Sequence, residues 1–301
     1  MSAWLSIVLL TISSLPNPAW AYEPNIHQQL TFIAARQFNQ CVVDHPEYER
    51  LSALDARFMA NANVAQADAN AFVRMFRWNY YNRHDQSNRS VMGVIDTRFH
   101  RRFDELSQVV HDGDRRKQLR NLGRIVNYIQ DVTSPPHAVP VYTARWWRWS
   151  FSDRFNRFAV DTERVEQLVE TACAFVVLPP PDYATILVDA ANDTLTSVQS
   201  QVFGFPTTWE AYWKLASSAD QFGEYGPAGN QFGQRANFRC GDQRCLLLKN
   251  DPLYQDFATD RHVAAVIATM QALTLLQTRT VPIEAESNKP GNVGANRASD
   301  E

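Results

Sequence analysis

A mainly α, single-domain multi-helix bundle is predicted by three features of this chain. Apolar residues recur at helical spacing through most of it, alternating turn-bounded strand patterns are scarce, and no composition shift divides it before a polar C-terminal stretch. The first element is an apolar run over 4–15, followed by Pro16, Pro18 and Ala19-Trp20-Ala21, whose small residues suit signal peptidase. Residues 1–21 therefore read as a signal peptide, too short to span a bilayer. The mature chain is expected to start at Tyr22 and to be secreted or periplasmic. Leu30, Ile33, Ala34 and Phe38 define a first amphipathic helix, and Leu119, Leu122, Val126 and Ile129 define another. Further helices are expected around 54–80, 98–112, 157–178, 182–203 and 258–278.

Two regions break the pattern. The stretch 134–151 carries three prolines and the run Arg145-Trp146-Trp147-Arg148-Trp149, and reads as an irregular loop. The stretch 221–238 is too glycine-rich for a regular helix and is expected to form the wall or lid of a pocket. A globular domain over 22–281, about 280 residues less the tail, is long enough for a substantial core. Residues 282–301, rich in Asn, Glu and Ser, read as a disordered polar tail. A formal net charge of −3 argues neither for a nucleic-acid groove nor for an anionic membrane surface as obligate partner.

Four cysteines in an exported chain are consistent with two disulfides. Cys240 and Cys245 are near enough to close a small loop, which leaves Cys41 with Cys173; the alternative, a cysteine zinc site, lacks local CxxC pairs and a nearby histidine.

The most specific stretch runs from Gly123 to His137. Asn127 and Asp131, four apart, share a helix face, and Pro135-Pro136 stops that helix so that His137 can fold back toward them. Zinc needs nitrogen, sulfur or carboxylate donors converging from separate segments, with a position left open for water. Here the donors are the mature amine of Tyr22, His27, His100, Asp131 and His137, with Asp131 able to bridge two metals. Taken singly, His27 and His100 would be structural or surface histidines, and Asp131, opposite the apolar face of its helix, would be solvated or line a cleft. His262, at the start of an apolar helix, reads as structural.

In this order the residues resemble the zinc-dependent phospholipase C family, together with the single-strand nucleases that share its fold. That resemblance implies a helical bundle of the phospholipase C and nuclease type, in which the processed amine and a nearby histidine, here Tyr22 and His27, bind one metal. The family's His-x-x-x-Asp and following His are similar to Asn127, Asp131 and His137, and its upstream Asn-His-Phe-Tyr-Asp to Trp78-Asn79-Tyr80-Tyr81-Asn82, with His100 downstream. The departures are Asn82 where the family has aspartate, Asn127 where it has histidine, and Ser152 and Asn156 where it has a His and a Glu. Asp85, three residues beyond Asn82, stands in as ligand or catalytic base, and Asp153 offers one carboxylate in compensation.

The resemblance implies zinc, one or two ions rather than three, and hydrolysis of a phosphodiester by metals that bind the phosphate oxygens and activate water. A phospholipid headgroup is the expected substrate, with peripheral membrane contact through Trp146, Trp147 and Trp149; the other reading of those indoles is packing over the helices. The alternatives are an inactive relative serving as a binding or interaction module, which the four substitutions favour, and a single-strand nuclease.

Overall fold

A computed structural model describes residues 22–69, 80–83, 98–141, 152–178, 180–218 and 221–278. The architecture is mainly helical, with two short hairpins, as the periodicity predicts. Residues 1–21, read as a signal peptide from the sequence, Asp85, the three tryptophans at 146, 147 and 149, and residues 282–301 lie outside the described residues.

Helix α1 (Pro24–Cys41) opens with proline at its first position, where a missing N–H costs nothing. It is followed by α2 (Ala53–Ala69), α3 (Arg98–Val109) and α4 (Arg115–Val132). Asp114 caps α4, its side chain accepting from the Lys117 N–H at 2.8 Å. The two prolines end α4 and begin a single helical turn, α5 (Pro135–Ala138), which carries His137. The segment expected to be helical over 157–178 is broken: a 3₁₀ turn (Phe155–Arg157) precedes α6 (Thr162–Glu170), capped by Asp161, and α7 (Cys173–Val177). Helix α8 (Tyr183–Gln199) starts at an Asp182 cap. The last helix, α9 (Pro252–Thr278), begins six residues earlier than the apolar periodicity indicates, because Pro252 starts it.

Helix α9 is buried on most of its circumference and packs on α1, α4, α6, α7 and α8, so that α4 and α1 are covered on several sides. Helix α2 lies along α4. Gly123 sets that contact, since a Cβ there would run into the Met59 carbonyl oxygen and the Ala62 side chain. One turn further along each helix, the same approach brings Asn127 against Asn63, at 3.0 Å. A backbone packing constraint thus delivers two polar side chains into the core.

Cys41, the last residue of α1, is bonded to Cys173, the first of α7, and Cys240 to Cys245, the pairing expected from the sequence. Strands β3 (Ala236–Cys240) and β4 (Gln243–Leu247) form the antiparallel hairpin that the second disulfide staples. Its two-residue turn uses Gly241 at φ +62°, a conformation glycine adopts without strain. The other hairpin pairs β1 (Trp213–Lys214) with β2 (Glu224–Tyr225) inside the glycine-rich stretch. Gly223 and Gly226 lie against the backbone of Val139, Lys214, Glu210 and Ala211, where any Cβ would collide, so these glycines serve close chain approach. No described helix is long and apolar enough to cross a membrane.

Candidate metal centre

Tyr22, His27 and Asp131 come together in the core, each 0 % exposed. The Tyr22 ring meets the His27 imidazole edge-on with centroids 5.7 Å apart, and His27 Nε2 lies 3.2 Å from Asp131 Oδ1. The Tyr22 hydroxyl sits 3.4 Å from Thr133 Oγ1, and burial pushes the phenol well above the usual tyrosine range.

The polarity of the surrounding network follows from two threonines. Thr31 and Thr269 each donate their hydroxyl proton to the carbonyl one turn back, His27 O and Ala265 O, both at 2.7 Å. Each hydroxyl can therefore only accept from its other neighbours. Gln130 lies 3.3 Å from Thr31 Oγ1 and 3.2 Å from Thr269 Oγ1, so the atom facing them is its amide nitrogen. Its carbonyl oxygen then faces His27 Nδ1 at 2.8 Å, and Nδ1 must carry the proton. Asn63 repeats the logic: its amide nitrogen donates to Thr31 Oγ1 and to Gln130 Oε1, both at 2.9 Å, leaving its oxygen to accept from Asn127.

The consequence falls on His27 Nε2. With Nδ1 protonated, Nε2 faces Asp131 Oδ1 at 3.2 Å and the Asn127 amide nitrogen at 3.3 Å. The Asn127 N–H supplies a hydrogen bond to the Nε2 lone pair, and the Asp131 carboxylate lies beside it. A histidine whose far nitrogen is pinned by a carbonyl acceptor is the arrangement that metal-binding imidazoles use. One imidazole and one carboxylate, donor types that a cation site uses, therefore lie side by side next to the Tyr22 ring.

The other expected ligands are engaged differently. His100, on α3, directs Nε2 at the Asn82 carbonyl oxygen, 2.8 Å away, and packs on Tyr81. His137 is buried and stacks on Tyr80 with the rings 5.5 Å apart. Among the described residues no three His, Cys, Asp or Glu side chains form a group that could hold a metal ion. Of the two readings of Asp131's position, solvated or lining a cleft, the solvated one does not hold, because neighbouring helices enclose the C-terminal half of α4. Sequence reasoning missed Asn63 and Gln130. Gln130 carried a signal, a carboxamide among apolar residues three positions from Asn127 on the same helix, whereas Asn63 is one of several polar residues on α2 and carried none.

The positions around Asn156 and Asp153 also have tasks in the fold. Ser134 Oγ donates to Asn156 Oδ1 at 2.6 Å, while the Asn156 carbonyl accepts from the Glu23 N–H at 2.9 Å and so anchors the chain beside Tyr22. Asp153 accepts from Trp213 Nε1 at 3.0 Å, the Tyr225 hydroxyl at 2.9 Å and the Phe155 N–H at 2.8 Å. Burial raises the Asp153 carboxyl above its usual range, with those three donors pulling the other way. Asp153 is thus the hub of an aromatic cluster that includes Phe155, Trp213 and Phe232.

The chain matches no known family, no curated protein and no solved structure.

Proposed function

We propose that this chain is an exported phospholipase C-like phosphodiesterase that works with a reduced metal site and cleaves phospholipid headgroup esters. The observation that supports it is the meeting of Tyr22, His27 and Asp131, with His27 Nε2 presented to Asp131 Oδ1 at 3.2 Å. Zinc, when bound, would supply Lewis-acid polarisation of a phosphoryl oxygen. The chain's own residues set up that role. Gln130 fixes the His27 tautomer, Asn63 fixes Gln130, and the Asn156 carbonyl holds the stretch that begins at Tyr22. Two disulfides fit maturation in an oxidising compartment.

A second reading, an inactive relative that keeps the fold as a binding or interaction module, has its own support. Asn127, Ser152 and Asn156 occupy positions where the resemblance calls for metal ligands, and Asn127 and Asn156 are tied into hydrogen bonds with neighbouring side chains. The pair at the centre is also wholly buried.

The experiment compares phosphocholine release from lecithin with cleavage of single-stranded DNA by the secreted, zinc-supplemented protein. Lecithin hydrolysis that EDTA and His27→Ala both abolish is the expected result. Cleavage of DNA alone would replace the lipase reading with a nuclease. A folded protein inactive on both substrates would establish the binding module.

A further inference from the structure

Apart from the metal centre, the loop after Ser152 borders a recess of about 420 Å³, within the size range of small-molecule sites. Arg154 and Arg157 stand on its rim, flanking the 3₁₀ turn at Phe155–Arg157. In that geometry residues three apart eclipse one another, so the two guanidinium groups project from the same side while Asp153, Phe155 and Asn156 face the core. Arg157 shares its charge with Glu23 at 2.9 Å, whereas Arg154 has no ion pair among the described residues.

The floor is aromatic, formed by Phe158 and Phe232 packed edge to face at 5.2 Å. Gly233 lets Phe158 lie there, since a Cβ at that φ of +74° would meet its ring at 2.9 Å. The far wall carries Asn250 and Asp251. Asn250 has φ +57°, the sole non-glycine residue with positive φ among the described residues, and backbone held in that region is a feature of ligand-contacting segments. Asp251 uses one carboxylate oxygen to accept from the Leu253 N–H at 3.1 Å.

We propose that this recess binds the phosphate monoester of a small hydroxylated molecule. The planar guanidinium forks of Arg154 and Arg157 suit phosphate oxygens bidentately. Asp251, Asn250 and the nearby glutamine side chains accept or donate to hydroxyl groups at the other end. The Asp251 carboxylate in the same lining also disfavours a ligand that is anionic at both ends.

The test is calorimetric titration of glycerol 3-phosphate into the full chain in EDTA, which keeps any metal centre from contributing. Saturable binding is expected, weakened about tenfold or more by Arg154→Glu, an exposed change that leaves the circular dichroism spectrum unaltered. Glycerol alone should not bind, and inorganic phosphate should bind more weakly. Absence of binding up to ~10 mM, or binding unmoved by both Arg154→Glu and Arg157→Glu, would overturn the assignment. Capture by phosphatidate-containing vesicles without binding of glycerol 3-phosphate would overturn it too, by showing a lipid surface to be the source of the phosphate.

Discussion

The Tyr22 ring contacts two buried histidines that differ in their partners. His27 lies 5.7 Å from it and His262 5.6 Å, both fully buried. Both nitrogens of His27 face partners: Gln130 fixes one and Asp131 meets the other. Neither ring nitrogen of His262 has a hydrogen-bond partner among the described residues. The nearby carboxylates differ in the same way. Asp131 Oδ1 faces an imidazole nitrogen at 3.2 Å, while Asp153 accepts from three donors. Burial is therefore no guide to function in this core. Side chains alike in burial differ here in the partners that face them.

The largest effect that would sharpen this contrast is acid lability from His262. Burial, with the nearby Arg261 charge adding to it, pushes this histidine down to about 3. The unfolded chain then binds a proton below the ordinary value near 6.5 that the folded chain refuses, so stability falls as pH drops from about 6.5 toward 3. The full cost is roughly 5 kcal/mol by linkage. Urea melts across that window should show the loss, and His262→Phe should flatten it; an unchanged slope in the variant would remove His262 from the account.

Next is Asp153→Ala, which strands three buried donors and should cost about 3–5 kcal/mol, read from chemical denaturation. Asp131→Asn, nearly isosteric and beside a histidine, should cost clearly less. Equal costs would dissolve the distinction between the two carboxylates. Gly123→Ala comes last at about 1–3 kcal/mol, because it forces α4 away from the Met59 carbonyl and loosens the Asn127–Asn63 contact one turn on. A neutral effect there would show that α2 and α4 pack less closely than the geometry has them.

The helices were readable because their apolar residues keep a 3.6 period, and the cysteine pairing because only Cys240 and Cys245 are close in sequence. The 236–247 hairpin was also legible in principle, since Ala236, Phe238 and Cys240 alternate inward and Gly241-Asp242 supplies the turn. It is short enough to escape a reading tuned to helices. Periodicity revealed which face of α4 is apolar but not how many neighbours enclose it, and so it left Asp131 either solvated or lining a cleft where the fold buries it. Asn63 was illegible for a related reason. It matters only because Gly123 draws its helix against Asn127, a contact between segments 64 residues apart in the chain.

Metal content tests the central claim most directly, by elemental analysis of the secreted, trimmed protein and of two variants. The account predicts at least one zinc per chain, retained in Asp153→Asn and lost in Asp131→Asn. A natively folded protein without metal, or one whose zinc survives Asp131→Asn, would contradict it.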